Sequence, residues 1–447
     1  MSVGVAMILR FYRTISFEDY RFLSMWRLHR MAASRQESPT MSTVTSSPIV
    51  ETSRPAASAA ATPRALRGVL SLHDFEARAR RALPRPIFGY VGGAAEDNRT
   101  RDDNRAAFDE YGFVTRVLRD VSQRQQGVEL FGRRYASPFG IAPMGINALS
   151  TYRGDIVLAR AAQHAGIASI MSGSSLIPLE DVAAAAPDTW FQAYLPGDAG
   201  RIRALVERVA RAGYRTLVVT VDIPVSANRE NNVRSGFSTP LRPSPRLFWD
   251  GLTRPRWLLG TFARTLLAHG MPHFENSFAT RGAPILSANV LRDFSARDHL
   301  SWAHVRQIRE QWAGELVIKG VLSVEDARIA REAGADGIIL SNHGGRQLDG
   351  AVSPMRILRD VVQAVGNGYP VMIDSGFRRG SDVLKAVALG ARMVFVGRPF
   401  NYAAAVAGEA GVAHAIRLLR EEVDRNLAML GANGCDALTP DMLIRKR

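Results

Sequence analysis

At 447 residues the chain has room for one large domain, or for a domain with attachments. Its composition, 46% hydrophobic and 22% charged, is that of a soluble globular protein, and its single cysteine, Cys435, excludes an intrachain disulfide framework and a cysteine-rich metal site. A formal charge of +15 suggests a polyanionic partner, yet only Lys319, Lys385 and Lys446 of the 57 basic residues are lysines. The arginines are dispersed along the chain, as compositional bias produces, so nucleic-acid binding is not expected.

In chain order, "MSVGVAMILRFYRTISFEDYRFLSMWRLHR" is basic and aromatic but has no long apolar core and no small-residue cleavage site. The Ser/Thr/Ala/Pro-rich stretch that follows, to Arg64, buries too little to order itself. Residues 1–64 are therefore expected to be a disordered extension, with Met31 and Met41 as alternative starts, and residues 65–447 to form the folded domain. No apolar run reaches the roughly 18–20 residues that span a bilayer.

"SLHDFEARARRAL" predicts a helix capped by Ser71, with Leu72, Phe75, Ala79 and Leu83 on one face. From Pro138 onward, the apolar runs "FGIAPMG", "IASIMSG", "TWFQAYLPG", "TLVVTVDIP", "ELVIKG", "DGIILSNHGG", "PVMIDSG" and "MVFVGRP" alternate with helical segments, several ending in glycine. Eight such runs predict an α/β fold, a TIM (β/α)8 barrel; a doubly wound sheet competes, but no G-x-G-x-x-G follows the first run. A long insertion, 236–299, interrupts the alternation after strand four. Within it, "RPRWLLGTFARTLLAHG" (residues 254–270) spaces Leu258, Phe262 and Leu266 four apart beside Arg254, Arg256 and Arg264. That is the pattern of a membrane-interface helix, or of a helix packed on the barrel mouth or another subunit.

In a barrel the C-terminal ends of the strands meet on one face, where active sites are built. Those ends carry Pro143, Met144 and Gly145; Ser172; Gln192 and Tyr194; Thr220 and Asp222; Lys319; Ser341, His343 and Arg346; Asp374, Gly376 and Arg378; Gly397 and Arg398. Lys319, a rare lysine, suits a point charge beside developing negative charge. His343 is a candidate general base that Asp222 would orient. Arg346 and Arg229 offer planar forks for a carboxylate. The turns "DSGFRRG" and "VGRP" suit a phosphate, with charge from Arg378 and Arg398. These readings imply a phosphorylated cofactor facing an anionic substrate, and spacing alone does not identify that cofactor.

The motifs "LPRPIFGYVGGAAEDNRTRDDNRAAF", "FQAY", "TVDIP", "VIKG", "SNHGGRQLDG", "DSGFRRGSD" and "VGRP", in this order from about Leu72 to the C-terminus, resemble the FMN-dependent 2-hydroxy acid oxidoreductases. That family includes glycolate oxidase, L-lactate dehydrogenase and mandelate dehydrogenase. The resemblance implies oxidation of an L-2-hydroxy acid to the 2-oxo acid with FMN, electrons passing to a quinone-like acceptor or O2. Another FMN barrel enzyme, such as an isomerase, is the alternative, although it has little use for both Arg346 and Tyr90. By resemblance, His343 is the base and Asp222 supports it once protonated. Arg346, Arg229 and Tyr90 hold the substrate carboxylate, and Tyr194 bonds near the hydroxyl. Lys319 lies by the flavin pyrimidine edge, and Ser172, Gln192, Thr220 and Ser341 contact the cofactor, with backbone at Pro143, Met144 and Gly145 beside the ring. Asp374, Gly376, Arg378, Gly397 and Arg398 hold ribityl and phosphate.

Three positions depart from the oxidase pattern: Gly145 stands for alanine, Ser375 for glycine, and Ser174 for a bulky aromatic. The first two favour the lactate and mandelate dehydrogenase branch, and the third implies a roomier pocket. The resemblance also implies a tetramer, located in the cytoplasm or held peripherally on the inner face of the cell membrane through 254–270.

Overall fold

A computed structural model of the chain describes residues 63–446 apart from 243, 288 and 290–296. The extension expected to be disordered, 1–64, lies outside the described residues except for Pro63 and Arg64. The described chain opens with helices α1 (Leu72–Ala82), α2 (Arg85–Gly92) and α3 (Arg99–Asp109), which precede the barrel and lie against its upper rim and flank. Ser71 caps α1 as expected: the Asp74 carboxylate accepts from the Ser71 N–H at 2.8 Å, and Leu72, Phe75, Ala79 and Leu83 are buried.

The eight expected strands form as β1 (Phe139–Ile141), β2 (Ile170–Ser172), β3 (Trp190–Ala193), β4 (Thr216–Thr220), β5 (Glu315–Val321), β6 (Gly337–Leu340), β7 (Val371–Ile373) and β8 (Met393–Val396). They pair in parallel in the order β1-β8-β7-β6-β5-β4-β3-β2, and a bridge between Ile141 and Ser169 brings the two ends together. Each is apolar and nearly wholly buried, as strands covered on both faces must be.

Side chains alternate between two cores, apart from a bulge between Lys319 and Val321 in β5. Phe191, Leu217, Val219, Leu316, Ile318, Ile338 and Leu340 face the surrounding helices. Ala142, Ile170, Trp190, Val218, Val317, Ile339, Met372 and Phe395 point into the barrel. A hairpin, Val128–Leu130 with Arg133–Tyr135, closes the N-terminal end, and Trp190 Nε1 donates to Tyr135 Oη at 3.2 Å. At the other end of the chain, Leu443–Arg445 pairs antiparallel with Tyr111–Phe113 and ties the C-terminus to the segment after α3.

The insertion differs from its expected form. Pro245–Leu252, Pro255–Trp257 and Arg264–His269 are α-helical, but Leu258–Ala263 is a π-helix, whose turn is wider. Leu258, Phe262 and Leu266 still share one face, and it is half-buried against the protein. Trp257 stacks on Phe262 at 5.5 Å and donates from Nε1 to the Leu149 carbonyl at 2.6 Å. The solvent side instead carries Leu259 (68% exposed) and Leu267 (89%), with Phe248 (69%), Trp249 (67%) and Leu252 (43%) from the preceding helix. The apolar face exists, but its residues are not those of the four-residue spacing. Among the described residues, no helix is long and apolar enough to cross a membrane.

Candidate active site

Continuing each strand by one more inward step generates the site. Two residues beyond the inward core residues stand Met144, Ser172, Gln192, Thr220, Lys319, Ser341, Asp374 and Gly397, a polar ring laid on an apolar floor. Above it opens a cavity of about 660 Å3, lined in part by Tyr90, Pro143, Met144, Gly145, Tyr194, Arg229, Lys319, His343, Arg346, Asp374, Gly376, Arg378, Gly397 and Arg398. The remaining expected residues lie deeper. Ser172, Gln192, Thr220 and Ser341 are buried beneath the open volume, and Asp222 stands behind His343.

His343 and Asp222 form the pair expected of a base and its support. His343 Nδ1 meets Asp222 Oδ1 at 2.9 Å, which leaves Nε2 for the cavity. Gly320 permits this approach: at φ +107° it carries no side chain, and a Cβ there would lie 2.6 Å from the Asp222 Cβ. Burial lowers the imidazole pKa, with Lys319 and Arg229 adding to the effect and Asp222 opposing it, so His343 is neutral at neutral pH. Burial alone would raise the Asp222 carboxyl, but His343 and Lys319 outweigh it and hold the carboxyl below its ordinary range. Tyr194 stacks beside the imidazole, ring centroids 6.4 Å apart.

Lys319 Nζ lies 3.1 Å from Asp374 Oδ2 and donates to Ser341 Oγ at 2.9 Å. Burial works against its charge, yet Asp374 and Asp222 raise its pKa above the ordinary value, so the ammonium persists. Ser375, which stands for a glycine, has φ +80°, the left-handed region that glycine favours. Its hydroxyl donates to Asp374 Oδ1 at 2.8 Å and accepts from the Gly344 N–H at 3.2 Å, a link between the β6 and β7 turns that glycine cannot make.

Two groups of guanidinium charge face the same cavity. Arg346 donates from Nη1 to the Tyr90 and Gly93 carbonyls, each at 2.8 Å, and lies 4.9 Å above the Tyr90 ring. Arg229 donates from Nε to the Arg346 carbonyl at 2.9 Å; burial and the neighbouring Arg346 charge lower its pKa to about 10. Such mutual repulsion is what a bound carboxylate relieves. Arg398 donates from Nη2 to the same Gly93 carbonyl at 2.9 Å and is lowered to about 9 by burial and by Arg346 and Arg378, and burial lowers Arg378 as well. Neither Arg378 nor Arg398 has a carboxylate within ion-pair distance among the described residues.

These features fit an elongated anionic cofactor. Gln192 Nε2 and Thr220 Oγ1 are buried without partners on the floor, as hydrogen-bonding groups for a heteroaromatic ring should be. The uncompensated Arg378 and Arg398, beside the Gly376 and Gly397 turns, suit its phosphate. Sequence reasoning did not single out Phe237, Phe274, Arg297 or Asn401, which also line the cavity. Phe237 packs on Tyr90 at 4.5 Å, and Arg297 lies 4.8 Å above the Tyr194 ring. Phe237, Phe274 and Arg297 come from the insertion, where no strand or helix period marks an inward position.

Residues 79–445 match the family described as FMN-dependent dehydrogenase, and the chain belongs to that family. The chain is 39% identical over 376 residues to (S)-mandelate dehydrogenase of Pseudomonas putida, covering 84% of this chain and 94% of that one. It is also 39% identical over 378 residues to L-lactate dehydrogenase of Ectopseudomonas mendocina, covering 84% and 98%. The crystal structure of the monotopic membrane protein (S)-mandelate dehydrogenase superposes with a TM-score of 0.80 at 38% identity, covering 85% of this chain and all of that one. The protein is thus an FMN-dependent oxidoreductase close to the lactate and mandelate dehydrogenase branch, and it oxidises an L-2-hydroxy acid to the corresponding 2-oxo acid.

Proposed function

We propose that the substrate is a lactate- or mandelate-like L-2-hydroxy acid and that His343 is the base that removes its proton. The observation that carries this reading is the His343–Asp222 pair opposite the Arg229 and Arg346 guanidiniums, in one cavity. Arg346 and Arg229, with Tyr90, hold the substrate carboxylate and so fix the alpha-carbon beneath the imidazole. With Nδ1–H donated to Asp222, the lone pair on Nε2 accepts the proton, and the Asp222 carboxylate stabilises the imidazolium that results. Tyr194 bonds near the substrate hydroxyl. FMN, when bound, supplies the two-electron acceptor and passes the electrons to a quinone-like molecule or O2. Ser172, Gln192, Thr220, Ser341 and the backbone at Pro143–Gly145 contact its ring. Lys319 would lie by the pyrimidine edge, and Asp374, Gly376, Arg378, Gly397 and Arg398 would take ribityl and phosphate.

Gly145 and Ser174 leave room for a side chain larger than that of glycolate: a Cβ on residue 145 would lie 3.1 Å from the Ser174 Cβ and 3.3 Å from the Tyr90 hydroxyl. Anaerobic reduction of the bound flavin by glycolate, L-lactate and (S)-mandelate tests this. Mandelate or lactate should reduce fastest, and glycolate outrunning both would overturn the pocket reading. Reoxidation with air and then with a quinone separates the two acceptors.

The exposed apolar face of 245–270, with Arg256 and Arg264 beside it, supports a peripheral membrane contact. The relative described as a monotopic membrane protein supports it as well. Sedimentation with anionic liposomes tests the contact, and protein left in the supernatant would refute it. A tetramer, proposed from family likeness, is checked by light scattering on the eluting holoenzyme.

A further inference from the structure

We infer that Asn104, on α3 outside the barrel, is a positioning residue for the reaction: its amide fixes the Asn342 amide and thereby the left-handed turn that presents His343 to the cavity. This rests on His343 acting as the base.

The turn is unusual. His343, Gly344 and Gly345 follow one another at φ +58°, +65° and +75°. Glycine adopts that region freely, whereas a histidine there is strained and stays only if its surroundings insist. Every N–H of the run is held. His343 donates to Ser341 Oγ at 2.9 Å, Gly344 to Ser375 Oγ at 3.2 Å, and Gly345 to Asn342 Oδ1 at 3.1 Å. The Gly345 N–H is thus shared between that side chain and the Asn342 main-chain carbonyl, 3.0 Å away, so both acceptors belong to the residue just before the base.

That side chain is oriented from outside the barrel. Asn104 Nδ2 donates to Asn342 Oδ1 at 2.8 Å, and Asn342 Nδ2 donates back to Asn104 Oδ1 at 2.7 Å. Asn342 Nδ2 also reaches the Val352 carbonyl at 3.1 Å. The Gly345 N–H and the Val352 carbonyl decide which end of the Asn342 amide is oxygen; rotated by half a turn, it would set donor against donor and acceptor against acceptor. Both asparagines are buried, at 1% and 4% exposure, so water is not at hand to replace either partner. The helix and the loop before it are pressed against the turn as well: the Ala95 N–H, in that loop, donates to the Gly345 carbonyl at 2.9 Å, and a Cβ on Gly345 would lie 2.6 Å from the Arg101 nitrogen of α3. Without the Asn104 amide, Asn342 can rotate, the Gly345 N–H keeps only the Asn342 main-chain carbonyl, and the strain at His343 relaxes by moving the imidazole away from Asp222.

The test compares holoenzymes of wild type, Asn104→Ala and Asn104→Asp by anaerobic stopped-flow reduction with L-lactate and (S)-mandelate. Asn104→Asp keeps the volume but lacks the donor for Asn342 Oδ1. Both variants should lose about tenfold or more in the limiting rate of flavin reduction, with flavin content and substrate dissociation constant within about twofold. The pH profile supplies a second readout. The imidazole is faced by Asp222, Lys319, Tyr194 and Arg229; Asp222 raises its pKa while burial, Lys319 and Arg229 lower it, so an imidazole drawn away from Asp222 should show a kinetic pKa lower than the wild type's. Asp103→Asn, which weakens the ion pair of the same helix with Arg356, is the control; it should lower the melting temperature and leave rate and pH profile unchanged. If Asn104→Ala does not fold, Asn104→Asp and Asn104→Ser carry the comparison. A wild-type rate and pH profile in the Asn104 variants, or an equal loss in Asp103→Asn, overturns the inference. A wild type that no 2-hydroxy acid reduces overturns the reading of His343 instead.

Discussion

Replacing Asp222 with asparagine removes one charge and almost no volume. The close packing of Gly320 against the Asp222 Cβ holds the new side chain where the old one stood. Two effects follow. An amide that turns its NH2 toward His343 Nδ1 forces the proton onto Nε2, the nitrogen proposed to accept the substrate's proton. An amide that keeps its oxygen there preserves the tautomer but no longer stabilises the imidazolium. Two unit charges about 4 Å apart interact by about 4 kcal/mol at an effective dielectric near 20. The two side chains are 17% and 10% exposed, so partial screening leaves about 2–4 kcal/mol. That corresponds to a loss of about 30- to 1000-fold in the rate of flavin reduction. Rapid-mixing absorbance under anaerobic conditions reads this step directly, and the substrate dependence of the rate gives binding separately. The arginines proposed to hold the carboxylate are untouched, so the dissociation constant should change by less than about threefold. A variant that reduces its flavin within about threefold of the wild-type rate, or that loses binding and not rate, would refute the role assigned to Asp222.

Because the His343 pKa is lowered by burial, the rate of flavin reduction should be flat at neutral pH and fall only as pH drops through a value below about 6.5; a midpoint above 7 in the pH–rate profile contradicts this. The same depression means that the unfolded chain binds more protons across that interval, so this histidine's contribution to stability grows as pH rises from the lowered value to about 6.5, as denaturant titrations at several pH values would register. Gly145→Ala brings a methyl group to 3.1 Å from Ser174 and 3.3 Å from the Tyr90 hydroxyl, so it should raise KM for mandelate more than for lactate, by about tenfold against twofold. Leu259→Asp together with Leu267→Asp should abolish liposome binding at unchanged flavin reduction, whereas Leu258→Asp, on the half-buried side, should lower thermal stability. Trp190→Ala empties the centre of the barrel and strands the Tyr135 hydroxyl, at a cost of about 3–5 kcal/mol in chemical denaturation.

The barrel and most of its mouth were legible because both depend on a local period. Eight buried parallel strands need apolar runs, and alternation along each run decides which residue next points inward beyond the floor. Lys319 follows Val317, Ser341 follows Ile339, and Asp374 follows Met372 on that rule alone. The role given to Tyr90 came from likeness to known enzymes, since it lies on no strand, and Arg229 offered only a guanidinium after strand four until that likeness gave it a role. The spacing of Leu258, Phe262 and Leu266 did mark one face of the insertion, but not its environment: that face packs on the protein, and Leu259 and Leu267 beside it are the exposed ones.

The order of residues along the chain determined the architecture, the apolar floor and the polar ring above it, since these follow from which way successive side chains point in an extended strand. Only the tertiary structure decided which groups meet. His343 finds Asp222 from a neighbouring rim, Arg297 reaches Tyr194 from the insertion, and Asn104 joins Asn342 across 238 positions of sequence. No periodicity encodes such encounters, because they are set by the closure of the barrel and the docking of α3, where distance in space is independent of distance along the chain.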